Sequence, residues 1–156
     1  MILDGALQFS GAAGAINGDL PTTGSQTSTN IIDLLNARDM GIGDNPAMKL
    51  FVSVLTAFTA GTSLQVNFQG APDNAGSPGT WTTYASSGVT AEASLTVGQH
   101  LFDIDVPRPP PGVAIPRFYR LQYVTVGTHT AGAIYGALVL DRDDELYYPP
   151  GIKINN

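Results

Sequence analysis

The clearest order along the chain is an alternation of apolar and polar positions with a period of two. In residues 64 to 68, Leu64, Val66 and Phe68 share one side and Gln65 and Asn67 the other, which predicts a strand with one buried and one wet face. Residues 102 to 106 repeat the pattern, with Phe102, Ile104 and Val106 on one side and Asp103 and Asp105 on the other. Residues 50 to 58 (LFVSVLTAF), 118 to 126 (FYRLQYVTV) and 133 to 140 (AIYGALVL) are more continuously apolar. They predict separate central strands covered on both sides, or strands whose second face meets another protein. Residues 81 to 84 predict a further short strand, and QGAPDNAGSPGT at residues 69 to 80 a long hairpin loop before it.

Residues 31 to 38 fit two elements. Asn30 suits the cap of a short helix with Asp33 in its first turn, while the pairs Ile31, Ile32 and Leu34, Leu35 also suit a strand. The β character of the surroundings favours the strand. Residues 11 to 29 (GAAGAINGDLPTTGSQTST) hold too little apolar matter to pack a strand layer and are expected to form a loop or linker. Residues 147 to 156 (YYPPGIKINN) carry two prolines that impose an extended backbone and exclude a central strand. The apolar Tyr147, Tyr148, Ile152 and Ile154 in that tail must still cover something, on this domain or on a neighbour.

Gly 18 and Pro 11 punctuate the short apolar segments, so long helices are nearly excluded. Closely spaced strands without helical crossovers predict a single all-β domain over residues 1 to 156. Its architecture is an antiparallel β-sandwich, of jelly-roll type or immunoglobulin-like, with extended terminal arms.

Composition sharpens this picture. Charged residues make up 13% of the 156, against roughly 25% in ordinary soluble domains. The surface is therefore built mainly from Thr, Ser, Asn, Gln and Gly, groups that cost less to desolvate against a partner than ions do. A formal net charge of −6 without clustered Lys or Arg argues against nucleic acid as a partner. With Cys 0, disulfides, thiolate catalysis and cysteine zinc sites are excluded. The opening MILDGALQFSGAAGA has neither the basic start nor the apolar run of a secretory signal, which implies synthesis in the cytoplasm. No window approaches the ~20 apolar residues of a spanning helix, so no membrane partner is expected.

Candidate chemistry is sparse. His100 and His129 both lie in turn-like sequence and are expected to be surface imidazoles without a task. Gly41-Ile42-Gly43 and residues 11 to 14 read as turns rather than phosphate loops. Asp103 and Asp105 fit the solvated face of an edge strand better than a cation site. The acidic run at residues 141 to 145 (DRDDE) lacks EF-hand spacing and reads as a charged loop. Trp81 and Tyr84 are candidates for stacking on sugar rings, the alternative being a carbohydrate-binding β-sandwich module, although a core place suits the single Trp better. In VPRPPPGVAIP, residues 106 to 116, the prolines stiffen a connection between sheets, with Arg108 and Arg117 available for nearby carboxylates.

Four phrases carry a resemblance: MILDGALQFSGAAG, TSTNIIDLLNARDMGIGDNP, SLQVNFQGAPDNAGSPGTWTTY and PRFYRLQYVTVGTHTAGAIYGALVLDRDD. Together they span most of the chain and are similar to the small cement, or decoration, proteins of tailed bacteriophages of the Bordetella podophage type. The resemblance implies a jelly-roll sandwich on the outer surface of a virion, bridging adjacent major capsid proteins of HK97-like fold. It also implies a symmetric homo-oligomer, a dimer first, and neither catalytic residues nor a cofactor. The expected role is thus non-enzymatic capsid stabilisation. The partner-binding candidates are Tyr147, Tyr148, Pro149, Pro150, Ile152 and Ile154 of the tail, with Arg108 and Arg117.

Overall fold

A computed structural model describes residues 2–12, 17–37 and 48–140, Ile2 and Leu3 by backbone alone. Among the described residues the strands are β1 (Ile2–Gln8), β2 (Gly24–Thr27), β3 (Ile32–Asp33), β4 (Met48–Ala71), β5 (Asp73–Asn74), β6 (Ser77–Pro78), β7 (Thr82–Ser86), β8 (Thr90–Ala91), β9 (His100–Asp105) and β10 (Phe118–Leu140). A single 3-10 turn, Glu92–Ser94, is the helical element among them. The protein is all-β, and its strands pair antiparallel in a sandwich-like arrangement.

The frame is a hairpin-like pair of very long strands. β4 and β10 stay paired from Phe118 opposite Ala71 to Leu140 opposite Met48. The predicted separate strands at residues 50 to 58 and 64 to 68 are therefore one strand, as are those at 118 to 126 and 133 to 140. The intervening small residues bend the pair instead of ending it. Register shifts fall between Val126 and Ile134, and Ala60 and Gly127 take positive φ there, 68° and 78°. Extra unpaired residues of this kind bend and twist a ladder without dissolving it.

The bend folds one sheet into two facing halves. In the first half, β9 pairs with residues 49 to 53 of β4, and β1 with the end of β10. In the second, β7 and β8 flank β4 while β2 and β3 flank β10. Leu50, Val52, Val54, Ile134 and Leu138 of the first half face Leu64, Val66, Phe68, Leu121 and Tyr123 of the second in one buried cluster. Gly136 sets how closely the halves approach, because a Cβ there would sit 2.5 Å from Leu121 Cδ1.

The described part of residues 11 to 29 is more than a loop, which corrects the expectation there. β2 adds to the edge of β10 by backbone hydrogen bonds, for which apolar side chains are not required. Asp19 bridges to Ile134, with both backbone hydrogen bonds at 2.8–2.9 Å. The same segment closes one open side of the sandwich. Asp19 N–H donates to Ile134 O in the first half, and Ser28 N–H to Leu121 O in the second. At residues 31 to 38 the described part forms the short strand β3 rather than a helix, its Ile32 opposite Tyr119. The predicted loop at 69 to 80 shrinks to a small β5–β6 hairpin with Ala75 and Gly76 at its tip.

His129 overturns the expectation of a surface imidazole: it is 1% exposed, its ring 5.0 Å edge-on from Phe58 and its Nε2 3.3 Å from Ser63 O. Room exists for it because Gly61, beneath it, has no side chain. His100, by contrast, is exposed at the start of β9.

Candidate interaction surface

The outer face of the second half follows from the period-two alternation. As Leu64, Val66 and Phe68 turn inward, Gln65, Asn67 and Gln69 must point out, and on β10 Arg120 and Gln122 alternate with the inward Tyr119, Leu121 and Tyr123. Register places Asn67 opposite Gln122 and Gln69 opposite Arg120.

These side chains hydrogen-bond to one another across four strands. Gln65 Nε2 donates to Asn67 Oδ1 and to Ser86 Oγ, both at 2.9 Å. Asn67 Nδ2 and Gln69 Nε2 donate to Gln122 Oε1 at 3.1 and 2.9 Å. Gln69 Nε2 also reaches Thr83 Oγ1, and Gln122 Nε2 reaches Ser25 Oγ. Arg120 Nε donates to Gln69 Oε1 at 2.9 Å, while its guanidinium lies 4.1 Å above the Trp81 ring. Partial burial works against the charge of Arg120 and lowers its pKa from the ordinary guanidinium value.

The wet face expected for this strand is thus corrected: Asn67 and Gln69 are buried by their neighbours' amides. The signal available in the sequence was the run Gln65, Asn67, Gln69 at strand spacing, polar but uncharged. What the spacing could not convey is that strands on both sides would supply partners.

The ladder is a polar, charge-poor surface whose side chains are already held in place by one another. Such a surface loses little rotamer freedom when a partner covers it, and its amides keep their hydrogen bonds while losing water.

The other sequence candidates lie elsewhere. Arg117 is fully engaged within the chain, its Nε and Nη2 on the two carboxylate oxygens of Asp33 at 2.7 and 2.8 Å and its Nη1 on Asp73 at 3.1 Å. It ties β3, β10 and the β5–β6 hairpin together at one end of the second half. Arg108 is exposed in the proline-rich connection from β9, in the first half, to β10, which starts in the second. Tyr147, Tyr148, Pro149, Pro150, Ile152 and Ile154 lie outside the described residues, as do the acidic run at 141 to 145 and Gly41-Ile42-Gly43.

Tyr84 packs edge-on to Phe68 and Tyr119 and covers Gly70, so its ring is committed to the interior. With Arg120 over Trp81, the two aromatics form no common platform for a sugar. Asp103 and Asp105 are exposed on β9, which pairs with β4 alone among the described strands. Among the described residues no three acidic, His or Cys side chains gather at metal-binding distance, and no helix is long and apolar enough to cross a membrane.

An open cleft of about 280 Å³ borders Asp19, Thr29 and Tyr123. Its carboxylate is already committed: Gly11 N–H, Thr29 N–H, the Thr29 hydroxyl and the Tyr123 hydroxyl all donate to Asp19. The proximity of that carboxylate adds to burial in raising the Tyr123 pKa well above the ordinary phenol value. This arrangement fastens the amino-terminal segment to the sheet and leaves no carboxylate oxygen idle for chemistry.

The Arg117 clamp makes an acid-range prediction. The hydrogen bonds from Arg117 hold the Asp33 carboxyl below its usual pKa. A depressed carboxyl stabilises the fold fully above the unfolded value of about 3.9, and that contribution disappears as pH falls through the lower folded value. Urea unfolding of wild type and Arg117→Met between pH 6 and pH 2.5 should show the wild-type advantage at pH 6 narrowing below about pH 4. The effect is modest, since both groups meet solvent.

A family model described as Bbp16 matches residues 20–138, more than half of the chain. No curated protein matches it.

Proposed function

The chain belongs to the Bbp16 family of bacteriophage proteins, and from this membership and the locked amide ladder we propose a structural virion protein that cements adjacent major capsid proteins from the outer surface of the shell. The ladder is the observation that carries the reading. A cementing contact is repeated over a shell many times, so it needs a surface that is cheap to desolvate and ordered before it docks, more than it needs a strong single anchor. Gln65, Asn67, Gln69 and Gln122 meet both conditions.

The low charge of the chain has the same sense, and its acidic balance suits a position away from packaged genome. A symmetric homo-oligomer, a dimer first, engages two shell sites with one surface patch and multiplies a modest affinity. The partner in this reading is a major capsid protein of HK97-like fold, and the role is non-enzymatic.

Co-sedimentation of the purified protein with undecorated heads, followed by electron microscopy, tests the reading. Wild type should decorate heads saturably. Thr83→Lys with Ser86→Lys, two exposed positions at the margin of the ladder, should leave the fold intact and weaken decoration about tenfold or more, since uncompensated charge must be desolvated. Heads that stay bare with wild-type protein sink the cementing role. Full decoration by the double variant sinks the ladder as the contact.

A further inference from the structure

Among the described side chains of the amide ladder, Arg120 alone is charged. Register puts it opposite Gln69 on β4, and Gln69 opposite Thr83 on β7. Strands β10 and β7 therefore stand about two spacings apart, roughly 10 Å. The Arg120 guanidinium nevertheless lies 4.1 Å from the centre of the Trp81 ring, which precedes β7, so the side chain runs across β4 along the sheet.

This cation is held in place but not neutralised. Its Nε donates to Gln69 Oε1 at 2.9 Å, while among the described residues nothing accepts from Nη1 or Nη2 and no carboxylate stands within ion-pair distance. Arg117, three positions earlier, is the contrast, since Nε, Nη1 and Nη2 are all engaged with Asp33 and Asp73. Arg120 and Trp81 are half-buried, beside the exposed Thr83. The guanidinium has thus lost part of its water without gaining a counter-ion, a state that costs free energy until an acceptor arrives.

We infer that the Nη1 and Nη2 edge of Arg120 receives a carboxylate, from an Asp or Glu side chain of the protein that docks on the ladder. The inference rests on the ladder as the docking contact and adds what the partner must present. Two parallel N–H groups match the two oxygens of a carboxylate, and a guanidinium already fixed by Gln69 and Trp81 loses little further freedom on pairing. The amides around it satisfy one another: Gln122 Oε1 accepts from Asn67 and Gln69, and Gln65 Nε2 donates to Asn67 and Ser86. They can exclude water from a contact, but they select no particular partner. Arginine and tryptophan within a ring of such near-neutral contacts are the composition of an interface anchor.

Trp81 is the one tryptophan of the chain, so its fluorescence reports on the fork directly. Sodium acetate, titrated into the wild-type protein at pH 7 against sodium chloride of equal ionic strength, should shift the emission saturably. Arg120→Gln should abolish that response and lower head decoration about tenfold or more, with a urea midpoint close to wild type. Arg120→Lys keeps the charge without the fork and should restore only part of each. The inference is overturned by the absence of an acetate-specific shift, by a response to phosphate and not to acetate, or by full function of Arg120→Lys. It is equally overturned if decoration by Arg120→Gln matches wild type, or falls only in step with lost stability, which marks a structural arginine. Heads left bare by wild-type protein whose acetate response is intact end the cementing reading and leave the carboxylate fork standing.

Discussion

Asp19→Ala should lower the unfolding free energy by about 3–4 kcal/mol, as read from urea denaturation at neutral pH. Two backbone N–H groups and two hydroxyls converge on this one side chain, from Gly11, Thr29 and Tyr123. Truncation leaves the Tyr123 hydroxyl, in a residue 1% exposed, without its acceptor. It also loosens the segment that joins both halves of the sandwich. Tyr123→Phe removes a donor instead of stranding one and should cost about 1 kcal/mol. Combined with Asp19→Ala it should add little, because the stranded hydroxyl is then gone. A double variant whose cost equals the sum of the singles contradicts the shared site.

Gly61→Ala should cost about 3 kcal/mol for a single methyl group. An added Cβ would lie 2.0 Å from His129 Cε1 and 2.1 Å from its Nδ1, and that ring is buried with Phe58 edge-on at 5.0 Å. The backbone of Gly61 is not in the left-handed region, so the effect is steric rather than conformational. In a His129→Ala background the same substitution should be nearly neutral, a coupling of about 2 kcal/mol or more in thermal or urea unfolding. An equal cost in both backgrounds sinks the explanation.

Much of the fold was legible because alternation is local. Leu64, Val66 and Phe68 announce their common face within five residues; at 102 to 106 the same alternation holds for the buried Phe102 and Val106 but not for Ile104, which is exposed on β9. The joining of strands was not legible. Thr59, Ala60, Gly61 and Thr62 have the composition of a turn, and only the partner strand, some seventy residues away, shows that they bend the ladder. The strand and bridge within residues 17 to 29 were not legible for a related reason: Asp19 finds Tyr123 across 104 positions, and no property of a Gly-rich segment advertises that carboxylate's donors. The ladder was half visible, as polar side chains at strand spacing. Their burial depends on Ser25, Thr83 and Ser86 from flanking strands that carry no strong apolar signal themselves.

The long strands also govern when the protein can fold. Ile2 pairs with Leu140, and Met48 with the same residue from the other side. The central ladder therefore closes only after residue 140 has left the ribosome, and each earlier segment waits for a partner made later. Chains dominated by such distant pairings fold slowly, on the millisecond-to-second scale, and expose unpaired strand edges meanwhile. The scarcity of charge that suits a docking surface offers those edges little protection, so crowding during synthesis is the period of greatest risk of aggregation.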